Sequence, residues 1–218
     1  MTGRDRIYIY KLTCDNGGAP CVHDNLLSLA ICKPMIRRSA KPGDLIFGFA
    51  ANSLHADNRL IYAAAVTDNF SCGAYFLDER FIRRPDCIYA LRRGRFYRRP
   101  GARFHHGPGD IIHDLGEHYE RANVLISNDF RYFGRDGKAE YKKQFGLIKE
   151  AVERLGRGYR VNHHHDLRAQ LCVLKQQIWK STRQADVGTP TSSPTLRVSH
   201  RCESCGAVTE KESSSSTA

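Results

Sequence analysis

Apolar and polar positions alternate along "RIYIYKL" (6–12), and β-branched and aromatic residues fill the apolar places, so the segment reads as a strand. "CDNGGAP" breaks it with loop residues, and "DNLLSLAIC" (24–32) reads as a short helix capped by Asp24 or Asn25. Pro34 ends regular pairing, and "KPGD" (41–44) is a tight turn with proline second and glycine third. Two strands follow, "LIFGFAA" (45–51) and "RLIYAAAVTDNF" (59–70), joined by the loop "NSLHADN". "SCGAYFLDERF" (71–81) puts a serine ahead of apolar residues at helical spacing and predicts a helix. Segment 86–99 opens as a strand and turns into an arginine-rich loop, while "GDIIHD" (109–114) and "NVLISNDFRYFG" (123–134) supply the last strands.

From 137 the period changes. Tyr141, Phe145, Ile148, Val152 and Leu155 recur at steps of four and three, the stripe of an amphipathic helix, and Gly156 and Gly158 stop it. Leu167, Leu171, Leu174 and Ile178 form a second such stripe over 163–180, and the Ser-, Thr- and Pro-rich residues from 181 predict disorder. Short strands at close spacing followed by helices predict an α+β fold. It would be a small mixed β-barrel with flanking short helices and two C-terminal amphipathic helices. The divisions are a barrel domain at 4–136, a helical extension at 137–180 and a tail at 181–218.

Charge changes the picture more than composition does. An apolar fraction of 41% suffices for a core, but 34 Lys and Arg against 23 Asp and Glu leave a net charge of +11, which favours polyanionic partners. No run approaches the roughly 20 apolar residues of a membrane span, and the start has no signal-peptide pattern. The 8 cysteines lack framework spacing. A cytoplasmic protein with reduced thiols and no membrane contact is expected.

Two basic segments are the candidate phosphate contacts. In "CKPMIRRSAKPGD" (32–44), Lys33, Arg37 and Arg38 either are solvated beside a structural turn or grip phosphate, which guanidinium forks suit. Between 83 and 110, Arg83, Arg84, Arg92, Arg93, Arg95, Arg98, Arg99 and Arg103 interleave with Tyr89, Phe96, Tyr97 and Phe104, the combination that backbone neutralisation and base stacking require. Ser127, Asn128, Phe130 and Tyr132 on the last strand are candidates to face a base, against a plain core strand with polar ends. For catalysis, Asp44, His106, His113 and Asp114 are the acid–base candidates; His105 and His118, with Glu117, could join them in an acid–base pair or a metal site, against ordinary surface or hydrogen-bonded histidines. Cys32 and Cys72 read as buried, inert thiols. No nucleophile has a base beside it in the sequence. No cofactor is expected. Zinc at His200, Cys202 and Cys205 is the alternative to an unliganded tail.

"LAICKPMIRRSAKPGDLIFGF", with "NRLIYAAAVTDNF", "YFLDERF", "GDIIHD" and "VLISNDFRYFG", resembles the nucleotide modification associated domain 2 family over roughly residues 4–150. The resemblance implies a place in bacterial or phage systems that make or handle modified DNA bases, and its motif falls on Cys32, Lys33, Arg37, Arg38, Gly43, Asp44, Ser127 and Tyr132. More distantly, the order of a basic segment, a Gly-Asp turn and strands is similar to the PUA-like barrels of the EVE and ASCH kinds, which bind modified bases. The leading expectation is binding of nucleic acid or a modified nucleotide, DNA foremost, alongside partner proteins of a base-modification system. The alternatives are an enzyme that modifies or hydrolyses a nucleotide or base, and a protein-interaction module built on the C-terminal helices.

Overall fold

The computed structural model describes residues 5–156 and 158–192. Its strands, in chain order, are β1 (Ile7–Leu12), β2 (Cys21–His23), β3 (Leu26–Leu29), β4 (Leu45–Ala50), β5 (Leu60–Ala65), β6 (Asp68–Phe70), β7 (Tyr89–Arg92), β8 (Arg95–Arg98), β9 (Val124–Ser127), β10 (Asp129–Tyr132) and β11 (Tyr159–Arg160). The helices are α1 (Pro34–Ser39), α2 (Asp110–Leu115), α3 (Tyr141–Gln144), α4 (Gly146–Glu153) and α5 (His165–Ser181).

A five-stranded sheet, ordered β10-β5-β4-β1-β11, forms the middle layer. β1 runs parallel to β4, and the other pairs in it are antiparallel. Both of its faces are buried, and the alternation in β1 shows how. Ile7 and Ile9 join one apolar cluster with Phe47, Phe49 and the buried stripes of α3, α4 and α5. Tyr8, Tyr10 and Leu12, one position out of phase, join a second cluster with Leu27, Leu29, Leu125 and Ile36. That second cluster lies against a four-stranded antiparallel sheet, β2-β3-β9-β6. A third cluster packs residues 75–122 onto that sheet through Ile31, Tyr75, Phe76, Tyr89, Val124 and Ile126.

The closed barrel expected from the strand spacing is not formed: among the described residues no sheet closes on itself. Instead two chain segments cross from one sheet to the other. The run 59–70 divides into β5 and β6, and 123–134 into β9 and β10, so each predicted single strand serves two sheets. Thr67 holds this corner: its N–H donates to the Ile126 carbonyl at 2.8 Å, and its Oγ1 accepts the Asn128 N–H at 3.2 Å.

Four further expectations change. Residues 24–29 are the turn and second strand of the β2–β3 hairpin, not a helix. Asp24 and Asn25 have φ of 48° and 58°, the left-handed pair that a two-residue turn between β2 and β3 requires. Pro34 does not merely end pairing but occupies the first turn of α1, where its missing N–H does no harm. The 71–81 helix reduces to a 3-10 turn at Ala74–Phe76, because the Tyr75 hydroxyl is drawn to buried Asp86 at 2.7 Å and Gly73 turns with φ 76°. "GDIIHD" is helical, an ambiguity inherent in short apolar runs.

Where two C-terminal helices were expected the described residues form three, although the apolar stripes are buried. The first is broken at Phe145 into α3 and α4, yet Tyr141, Phe145, Ile148 and Val152 enter one cluster with Leu167, Leu171, Leu174 and Ile178 of α5. Those apolar faces are therefore covered by the sheet, which removes the surface on which the protein-interaction reading relied. Residues 182–192, expected to begin a disordered tail, are hydrogen-bonded to the fold: Gly188 N–H donates to the Tyr132 carbonyl at 2.7 Å and Ser192 N–H to that of Asp15 at 3.0 Å. The zinc candidates His200, Cys202 and Cys205 lie outside the described residues. No described helix is long and apolar enough to cross a membrane.

Candidate functional site

Several candidate ligand contacts prove to be framework. Arg37 is fully buried, and its guanidinium donates to the carbonyls of Cys32 (2.6 Å), Arg121 (3.0 Å), Asn123 (2.5 Å) and Asp114 (2.8 Å). A cation so committed does not reach a phosphate. Phe130 is a core residue, and Tyr132 is buried with its hydroxyl on Asp15 at 2.6 Å, so neither offers a face to a base. Ser127 Oγ is turned back to the Asp129 backbone, while Asn128 is exposed at the sheet corner. Asp44 is buried and accepts from the Arg6 side chain and from the backbone N–H groups of Arg6 and Lys41, which closes the 41–44 turn. His106 is exposed, 3.1 Å from the Arg103 carbonyl. Burial holds His113 below the ordinary imidazole range. Arg38 is exposed on α1, and the Lys33 ammonium lies 5.2 Å from the Tyr10 ring centre.

The arginine-rich segment is not a loop but the β7–β8 hairpin, turned by Arg93 and Gly94 at φ 51° and 75°. Tyr89 and Phe96 point into the core. By strand alternation Arg92, Arg95 and Tyr97 share the opposite face, and Arg92 pairs directly with Arg95. Like charges opposite one another destabilise a ladder. Among the described residues no carboxylate pairs with Arg92, Arg93 or Arg95, and with Tyr97 they line an open hollow of about 570 Å³. Other arginines of the run are structural: Arg84 bonds Ser28 and Tyr75 in the core, and Arg99 donates to the carbonyls of Tyr89 and Phe76.

A second array brings together residues that the sequence left apart. Cys32 Sγ lies 3.2 Å from His105 Nε2, and His105 Nδ1 lies 2.6 Å from Asp114 Oδ2. Cys32 sits at the sharp bend between β3 and α1 with φ 56°, and His105 also has a positive φ of 53°. Asp114, on α2, is wholly buried. It accepts the Tyr89 hydroxyl at 2.8 Å and the Cys32 N–H at 2.8 Å. Burial alone would raise its pKa. The hydrogen bond and charge of His105, the Arg37 charge and the Tyr89 hydroxyl outweigh that, and hold the carboxyl below its usual range. Cys32 is buried as expected, but far from isolated. Cys72 is exposed, contrary to expectation. Among the described residues no group of three or more His, Cys, Asp or Glu side chains is arranged to hold a metal ion.

Asp114 is legible as an acid–base candidate and His105 as a member of the same histidine group, whereas Cys32 reads as a motif position and a buried, inert thiol. Cys32 and His105 stand 73 positions apart, a separation no spacing rule reads. The available signal was the "KP" after Cys32, where proline opens a helix; reading 24–32 as a helix hid the strand before it and so the bend.

Residues 4–195 match the model of a family described as nucleotide modification associated domain 2. Neither the curated proteins nor the solved structures gave a match.

Proposed function

Because the chain belongs to the nucleotide modification associated domain 2 family, we propose that it binds nucleic acid or a modified nucleotide, DNA foremost, within a base-modification system. The observation that carries this reading is the unneutralised arginine face of the β7–β8 hairpin. Two arginines directly opposed across a ladder, a third at the turn and a tyrosine ring beside them are poorly explained by folding. An anionic strand would relieve their repulsion while a base stacks on Tyr97. Lys33, at the start of α1, and exposed Arg38 on it are further basic residues that this reading assigns to the anionic ligand. The PUA-like part of the reading is supported by the two segments that pass between the sheets, as strands do at the corners of a small barrel that has opened.

The test is binding of plain and base-modified oligonucleotides at two salt concentrations, with wild type and Arg92→Ser/Arg95→Ser. Loss of two phosphate contacts should reduce the slope of log affinity against log salt by about 1.4 to 1.8. Binding indifferent to salt, or an unaltered slope in the double variant, removes the hairpin from the function.

A further inference from the structure

We infer that Cys32 and His105 are catalytic residues of an acyl-transfer or hydrolytic site, acting on a slender amide or ester carried by a nucleotide or base, with Asp114 positioning the imidazole. Three segments converge to build it: the β3–α1 bend, the loop after β8, and α2. Their order in space is thiol, imidazole, carboxylate, with the imidazole bridging the other two through separate nitrogens at 3.2 and 2.6 Å. That is the arrangement in which a base activates a nucleophile and is itself oriented by a third group.

The details favour chemistry over packing. Asp114 is ionised, so it only accepts; Nδ1 therefore carries its proton, and Nε2 is left facing sulfur. Asp114 keeps a fixed orientation because Oδ2 also takes the Tyr89 hydroxyl and Oδ1 takes the Cys32 N–H. Buried Arg37 joins the backbones of the thiol and the carboxylate, donating to the carbonyls of both Cys32 and Asp114. Cys32 and His105 both hold a positive φ, the kind of local strain that gathers at reactive sites. Burial pushes the Cys87 thiol up to about 11 and Cys21 higher, and neither has an imidazole beside its sulfur among the described hydrogen bonds.

The chemistry balances without any oxidant or metal. His105 Nε2 takes the Cys32 proton as sulfur bonds to the carbonyl carbon and the carbonyl electron pair moves to oxygen. The carbon–nitrogen or carbon–oxygen bond then breaks, and the departing amine or alcohol receives the proton from Nε2, leaving a thioester. Water gives a proton to Nε2 as its oxygen joins the carbonyl carbon, the carbon–sulfur bond breaks, and sulfur recovers its proton. With Cys32 only 7% exposed and the His105 side chain 15%, a group that reaches them must be slender, the end of an acyl chain rather than a folded polypeptide. Family membership supplies the carrier, a nucleotide or base.

The experiment treats the full chain with p-nitrophenyl acetate at pH 6.5, then quenches and maps acetyl groups by peptide mass spectrometry. An ordinary thiol with a pKa near 8.5 is only about 1% thiolate at that pH. Cys32 should acetylate at least about tenfold faster than exposed Cys14 and Cys72, which serve as internal references. His105→Gln should slow Cys32 by a factor on the order of 100 without altering the references. Asp114→Asn should lower kcat for ester turnover while KM holds. N4-acetyl-dCMP tests the carrier, and its deacetylation should disappear in Cys32→Ser. Acetylation of Cys32 no faster than the exposed thiols overturns the site in the unmutated protein, whatever the variants do. Acetylation without turnover of the acyl nucleotide overturns the carrier. The neutral ester needs no phosphate contact, so its failure leaves the oligonucleotide result standing.

Discussion

Arg37 shows how much one buried charge can organise. An unpaired guanidinium in the core is costly, so its hydrogen bonds must all be made, and they join α1 to the segments at 114 and 121–123. Arg37→Met strands those carbonyls and should destabilise the protein by about 3–5 kcal/mol, read as a lower urea midpoint at constant slope. Arg37→Lys cannot reproduce the fork and should recover only part of the loss. His163 gives a pH-dependent counterpart. Burial, aided by Arg160 and Arg168, depresses its pKa despite a bond to the Ile7 carbonyl at 2.8 Å. The unfolded chain therefore takes up the proton first as pH falls. Its contribution is complete above about pH 6.5 and declines as pH drops through the lower folded value. Unfolding free energy measured between pH 7.5 and 5.5 should fall less steeply in His163→Gln than in wild type.

At the level of the element, the β7–β8 hairpin and β4 pose opposite tests. Removing one of two opposed like charges should relieve the hairpin, so Arg92→Thr should raise stability by about 0.2–1 kcal/mol while weakening oligonucleotide binding. Opposite signs from one substitution separate a binding role from a folding role. In β4 the constraint is steric. A Cβ at Gly48 would stand 2.3 Å from Tyr62 Cε1 and 2.7 Å from Leu12 Cδ1. Gly48→Ala should cost about 1–3 kcal/mol through overpacking, seen by calorimetry as a lower Tm.

For the whole molecule, the segment after α5 ties distant parts together. Thr191 donates through its N–H and Oγ1 to Asp15 Oδ2, each at 3.0 Å, and the same carboxylate receives the Tyr132 hydroxyl. The strap passes so close to β10 that a Cβ at Gly188 would meet the Phe133 carbonyl oxygen at 2.1 Å. Beyond Asp15, Gly18 rests on the Phe104 ring, beside His105. Gly188→Ala should lift the strap and raise hydrogen exchange at residues 14–18, with the central strands unchanged.

The chain's own alternation determined the strands at 6–12 and 45–51 and both C-terminal helical stripes, because a buried face imposes its period directly on the residues that make it. The motif around Cys32, taken with the four other segments, likewise pointed to the family. Only the tertiary structure decided that 59–70 and 123–134 each divide between two sheets, that Arg37 is framework, and that Cys32, His105 and Asp114 share one line of hydrogen bonds. Periodicity records which side of an element faces inward. It carries no record of which polar group, tens of positions away, the folded chain brings opposite.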